Sequence, residues 1–279
     1  IRRFLDDAAT EPYEGFASPG FLWKPLIQPA KRSYLGLTDE RSGVLVVNAL
    51  PGSPVIGKLL PNDVIVSFDG HPVDNLGFFQ DPDLGRLLFP FLANGKHKPG
   101  DTVKLEIIRG KKKQEIDLPL AGWDDRASLM PENITGEQTE YLVEGGLIIT
   151  ELTGRYLRGR GQGWERMVGS RIAYYYHTRT SNPDDSGKRV VILASVLPDQ
   201  INIGYQDYRD DIITHINAKP VSSMADVFRI AKEDGAIERV RLMSSAVEII
   251  LDREQLADAN SRLAKSYRIG SLRFEKSSQ

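Results

Sequence analysis

Val44-Leu45-Val46-Val47-Asn48-Ala49-Leu50-Pro51 is followed, after a loop, by Asp63-Val64-Ile65-Val66-Ser67-Phe68-Asp69-Gly70-His71-Pro72-Val73. The same grammar returns as Val191-Ile192-Leu193-Ala194-Ser195-Val196-Leu197-Pro198 and Asp211-Ile212-Ile213-Thr214-His215-Ile216-Asn217-Ala218-Lys219-Pro220-Val221. Each copy is an apolar strand ending in Leu-Pro, a loop, an Asp-led alternating strand, a tight turn and a closing Pro-Val. The copies are separated by a whole domain's length rather than by a solenoid period, so the chain reads as two homologous modules. Asp69-Gly70 marks a tight turn, because glycine tolerates the positive φ required there.

Around these segments the pattern predicts helices and hairpins. Met224, Val227, Phe228 and Ala231 recur at i, i+3, i+4 and i+7, one apolar helix face, with Ser222 or Ser223 as N-cap and Gly235 as the stop. Leu84, Leu87, Leu88 and Phe91 follow the same spacing in the first module, with Pro90 expected to shorten or kink that helix. Val103–Ile108 and Glu115–Leu118 read as a hairpin around Gly110-Lys111-Lys112, and Val240–Met243 with Val247–Leu251 as its counterpart. The expected fold is mainly β with helices (α+β): two partly open β-barrel domains in tandem. The first spans 9–122 and the second 139–252. A polar linker punctuated by Pro131 and Gly136 occupies 123–138, and a C-terminal amphipathic helix and tail 253–279.

Composition narrows the function. With 279 residues, formal net charge −2 and 41% hydrophobic residues, the chain has an ordinary globular make-up. No global positive field favours nucleic acid. Cysteine is absent, which removes disulfides, thiolate catalysis and thiolate-bound zinc. No apolar run approaches the ~20 residues of a membrane span. Ile1-Arg2-Arg3-Phe4-Leu5-Asp6-Asp7 lacks the apolar core of a signal peptide. It reads as the closing helix (1–8) of an upstream domain, and the chain as a fragment.

Leu-Pro-x-Ser-Pro followed by Asp-Val-Ile-x-x-Phe-Asp-Gly-x-Pro-Val resembles the PDZ domains of HtrA/Deg serine proteases, the plant-type Deg proteases above all. Ile201-Asn202-Ile203-Gly204-Tyr205 and Tyr13-Glu14-Gly15-Phe16-Ala17-Ser18-Pro19-Gly20-Phe21 share that likeness, which spans nearly the whole chain. In that family a tandem PDZ pair follows a chymotrypsin-like catalytic domain. The resemblance implies a region that recruits C-terminal or unfolded peptide segments and contributes to homo-oligomers. The compartment is not determined by sequence, an extracytoplasmic one being implied if the protein is bacterial.

PDZ recognition adds an extended peptide to an open sheet edge, while successive main-chain N–H groups hold the terminal carboxylate. The carboxylate loop of module one is placed at Ser18-Pro19-Gly20-Phe21. Ser33-Tyr34-Leu35-Gly36-Leu37 mimics it, but is assigned to the end of an early helix. Phe21, Leu22 and Trp23 form the edge strand, with Leu84, Leu87, Leu88 and Phe91 walling the groove. Leu87 and Leu88 serve equally well as core filling. Pro19 has no N–H, so one donor is missing. In module two the loop is Glu144-Gly145-Gly146-Leu147 and the edge strand Ile148-Ile149, with Val227 and Phe228 on the facing helix. Glu144 beside the nest opposes a carboxylate ligand, and occupation of this second groove by the chain itself or a neighbour stands as the alternative.

No catalytic set accompanies these features. His71, His97, His177 and His215 have no nucleophile motif to serve, and there is no His-Glu-x-x-His, so no metal and no cofactor are expected. Gly159–Gly163 reads as a flexible loop, Tyr174-Tyr175-Tyr176 as alternating between core and surface, and Asn133-Ile134-Thr135 as a formal glycosylation sequon. A stand-alone tandem-PDZ adaptor that never had a catalytic domain is the competing function.

Overall fold

In the computed structural model, residue 5 and residues 15–38, 41–132, 138–244 and 248–276 are described. The closing-helix reading of Ile1–Asp7 (Leu5 apart), the sequon at Asn133 and most of the linker's second half lie outside them. Two compact units divide the chain, one of residues 1–124 with 181–186, the other of 125–180 with 187–279.

In module one, β1 (Ala17–Ser18) pairs with β10 (Ala121–Gly122). The main open sheet has the order β2 (Phe21–Pro25), β3 (Val44–Ala49), β4 (Val64–Phe68), β8 (Thr102–Arg109), β9 (Lys112–Pro119), with β5 (His71–Pro72) paired to β4. The β8–β9 ladder closes at Arg109↔Lys112, and Gly110 and Lys111 both take positive φ as a two-residue turn demands. Helix α1 (Pro29–Leu35) ends at Gly36 in the left-handed region, φ 87°, where Lys111 would crowd any Cβ. That places Ser33–Leu37 at a helix end, as expected. The core gathers round Phe89, whose ring lies 6.1 Å from Phe21, 5.0 Å from Trp23 and 5.4 Å from Phe68.

The helix expected over Leu84–Phe91 is instead a hairpin and a later helix. β6 (Phe78–Asp81) and β7 (Gly85–Leu88) pair at Phe78↔Leu88 and Phe79↔Leu87. Helix α2 (Pro90–Lys96) starts at Pro90, which begins it rather than kinking it. The reason is local: Asp81 accepts the amides of Asp83 at 3.1 Å and Leu84 at 3.0 Å, and Gly85 supplies φ 77°. The i, i+3, i+4, i+7 spacing of the leucines therefore straddles a turn, a strand and a helix.

Asp81 is itself buried and pairs with Lys96 at 2.8 Å. Lys96 and the two turn amides hold its carboxyl down at about 2. A depressed folded pKa contributes stability above the unfolded value, near 3.9, and loses it as pH falls toward 2. The thermal midpoint of Asp81→Asn should therefore lie below wild type at pH 7, with the gap shrinking between about pH 4 and pH 2. A gap unchanged at pH 2 would show that the ionised carboxylate is not what stabilises the turn.

Module two has the sheet order β17 (Glu248–Ile250), β16 (Arg239–Leu242), β14 (Asp211–Ile216), β13 (Val191–Val196), β12 (Leu147–Glu151), β11 (Tyr141–Glu144), β18 (Arg273–Phe274), with β15 (Lys219–Pro220) paired to β14. Both modules are open sheets, and neither closes into a barrel. Where module one turns at Asp69-Gly70, module two uses Asn217-Ala218, both at positive φ. The Asn217 side chain braces this turn: Oδ1 accepts the amides of Glu238 and Arg239, and Nδ2 donates to Ala236 O.

One face of the second sheet buries Leu147, Ile149, Ile213 and Ile216 against α5 (Met224–Asp234), which is capped by Ser223 and stopped by Gly235. The other face, through Ile192 and Ile212, meets an inserted helical segment that contributes Leu157, Trp164, Val168 and Ile172. This insert holds α3 (Gly154–Arg158) and α4 (Ser170–Tyr174). The glycine-rich stretch read as a flexible loop is tied down, since Arg160 bonds the Tyr156 hydroxyl at 2.8 Å and pairs with Asp210. The tyrosine run is helical rather than alternating: Tyr174 ends α4 and is exposed, while Tyr175 and Tyr176 lie in a π-helical turn and pack on the insert's core. Helix α6 (Arg253–Ser266), N-capped by Asp252, buries Leu256, Ala259 and Leu263.

Candidate functional site

In module one the loop Ser18-Pro19-Gly20-Phe21 connects β1 to β2. Gly20 takes φ 76°, and a Cβ there would meet Ser53 Oγ at 2.1 Å. Its carbonyl accepts the Leu50 amide at 2.8 Å, and its own N–H donates to Ser18 Oγ at 3.2 Å. Beyond the loop, β2 pairs with β3 on one side and has no strand on the other among the described residues. Leu22 and Lys24 point to solvent, whereas Phe21 belongs to the core. Trp23 is half-buried and its ring lies on Gly77, where any Cβ would fall 2.4 Å from it. Of the expected groove wall, Leu84 sits exposed at the hairpin turn and Leu88 is an exposed strand residue. Leu87 packs on the core, and Phe91 does so from α2, its ring over Gly95.

Module two solves the same positions differently. Glu144-Gly145-Gly146-Leu147 is a two-residue hairpin turn, register Glu144↔Leu147, with Gly145 at φ 54° and Gly146 at φ 87°. β12 is therefore not an open edge: β13 lies on one side and β11 on the other, and β18 pairs with β11 in turn. Leu147, Ile149, Val227 and Phe228 are core residues and Ile148 is half-buried; the Arg273 guanidinium lies 4.6 Å over the Phe228 ring. One donor of the expected nest is spoken for as well. Gly145 N–H donates to Asn260 Oδ1 at 2.8 Å. Asn202, with no exposed surface, donates through Nδ2 to Gly145 O at 2.7 Å and Leu197 O at 2.8 Å. Its Oδ1 accepts the Asp199 amide and Gln206 Nε2, each at 3.1 Å. A Cβ on Gly146 would strike Asn202 Nδ2 and Leu197 O, both at 2.4 Å.

Glu144 is half-buried. Burial pushes its pKa up, against the lowering effect of hydrogen bonds from Asn260 and the Ile237 amide. Asn202 stands in the Ile201–Tyr205 likeness without a role assigned to it, and Asn260 is not singled out by sequence. Tyr-Leu-Val-Glu-Gly-Gly-Leu-Ile-Ile-Thr, a Gly-Gly pair between two apolar runs, is itself a hairpin signal and pointed to β11. Asn260 carries no such signal, because its partner is remote in sequence.

Two open antiparallel modules, each with a glycine-bearing loop leading into the strand that faces a helix start, define the class. The chain belongs to the PDZ-domain family, with residues 34–120 matching one PDZ domain model and residues 130–276 another. Over nearly its whole length this tandem pair is similar to the PDZ region of Deg/HtrA-type proteases. Protease Do-like 2, chloroplastic, of Arabidopsis thaliana is 29% identical over 277 residues, 98% of this chain and 44% of that protein. The putative mitochondrial protease Do-like 3 of the same plant is 26% identical over 274 residues, 97% of this chain and 46% of that protein. The chain thus spans a little under half the length of these relatives. Among solved structures, an HtrA-type protease determined with a decapeptide aligns at a TM-score of 0.30 and 21% identity, over 39% of this chain and 30% of that one. Among the described residues no helix is long and apolar enough to cross a membrane.

Proposed function

We propose that this chain is the peptide-binding and regulatory region of an HtrA/Deg-type serine endopeptidase. Module one takes up extended substrate segments at β2, and hydrolysis belongs to a catalytic domain of the parent protein. The observation that carries this reading is the outer edge of β2 (Phe21–Pro25), which pairs with no strand among the described residues and lies beside the start of α2 in a PDZ module. An added strand gains main-chain hydrogen bonds there, and the exposed Leu22 offers apolar contact. In module two the equivalent edge is filled by β11, which suits a role in regulation and homo-oligomer assembly rather than capture.

A photocrosslinking side chain placed at Leu22 should label an extended apolar peptide, while the same group at Ile148 should not. Labelling confined to Ile148, or none at Leu22 at saturating peptide, would remove β2 as the recruiting edge.

A further inference from the structure

We propose that module one recognises internal extended segments of its partners and does not depend on a free carboxyl terminus, and that Ser18 and Pro19 set this preference. This rests on β2 being the recruiting edge. Capture of a terminal carboxylate requires main-chain N–H groups converging from the loop before the edge strand. Three residues of this loop would supply them. Pro19 has none. The Gly20 N–H is already committed to Ser18 Oγ at 3.2 Å. At most Phe21's remains.

The loop is not free to turn other donors inward. Gly20 is anchored by its carbonyl to the Leu50 amide at 2.8 Å and is walled by Ser53. Ser53 is neutral, and its Oγ already accepts the amide of Val55 at 3.3 Å. The apolar floor is likewise filled from within: Phe21 is core, and the Trp23 ring is packed on Gly77 and Phe89. What β2 presents is its backbone edge, and that edge serves any extended chain, interrupted or not.

Module two shows the same fold already holding an internal segment. β11 lies antiparallel on β12, and the chain runs on through Gly145-Gly146 with no terminus at the loop. There the carboxylate's place is taken by a neutral acceptor, Asn260 Oδ1, on the Gly145 amide. Both loops of the tandem pair thus lack the full set of free nest donors: Pro19 has no N–H, Ser18 takes the Gly20 amide, and Asn260 takes the Gly145 amide.

The test uses the whole chain and one extended apolar peptide in three forms: free acid, C-terminal amide, and lengthened by several residues beyond that end. Anisotropy titrations should give dissociation constants within about threefold of one another, under ~0.7 kcal/mol of discrimination. A preference of more than about tenfold for the free acid would overturn the inference. Pro19→Leu restores a donor, and should tighten the free acid by about fivefold while leaving the amide nearly unchanged. Ser18→Ala, which keeps the proline and releases the Gly20 amide, should move the ratio in the same direction. Equal gains for acid and amide in both variants would overturn the assignment to Ser18 and Pro19. If no form binds and Leu22 gives no crosslink, the β2 reading itself fails, an outcome distinct from acid-selective binding.

Discussion

Asn202→Ala is expected to loosen module two by about 3 kcal/mol. Asn202 is fully buried and satisfies four groups at once: the carbonyls of Gly145 and Leu197, the amide of Asp199 and the Gln206 side chain. Alanine fills neither role, and leaves two carbonyls and an amide in a space too dry to replace the bonds cheaply. Each orphaned group costs roughly 1–3 kcal/mol. The Gly145-Gly146 turn and the β11–β12 pairing depend on those contacts, so the loss should be local. Native-state hydrogen exchange should speed up by about two orders of magnitude for β12 amides, with module one unchanged. An increase under about fivefold would mean that the turn is held by Asn260 and the hairpin ladder alone.

The second large effect contrasts the two Asp residues that open the repeated strand. Asp63 is buried and takes a bidentate pair from Arg109, at 2.8 Å and 2.6 Å, plus the Leu60 amide at 2.8 Å. Asp63→Ala strands the Arg109 guanidinium beside the core and uncaps the loop, and should cost module one about 3 kcal/mol. Its counterpart Asp211 accepts no arginine hydrogen bond among the described residues, Arg171 acting on it only through its charge. Ser244 donates to it through both its hydroxyl and its amide, and burial pushes the Asp211 carboxyl up. A raised folded pKa contributes stability below the unfolded value, near 3.9, and loses it as pH rises through the folded one. Asp211→Asn should therefore gain on wild type as pH climbs from 4 to 7, whereas Asp63→Ala is destabilised at pH 7 by the stranded Arg109. Urea titrations of each variant at pH 4 and pH 7 distinguish the two; parallel behaviour would show that the repeats use this position alike.

Much of the fold was legible because turn chemistry and strand alternation act over a few residues. Asp69-Gly70, Gly110-Lys111, the Ser223 cap and the Gly235 stop all act within a span of a few positions. At Leu84–Phe91 the same locality acts in reverse. Four apolar residues share a helical spacing, but the Asp81 cap and the positive φ of Gly85 break it into a turn, a strand and a helix. The helical insert between β12 and β13 was harder, because its apolar residues find their partners on a sheet face formed by distant strands.

By itself the sequence determined that there are two modules and that they are PDZ-like. These follow from a repeated pattern whose causes are local. Only the tertiary structure decided which edge is open. A glycine pair before an apolar strand looks the same whether its amides await a guest or already serve the chain. In module two the Gly145 amide is taken by Asn260, 115 residues away, and β18 returns from beyond α6 to pair with β11. In module one nothing comparable covers β2 among the described residues. The difference lies in long-range hydrogen bonds, which no local pattern encodes.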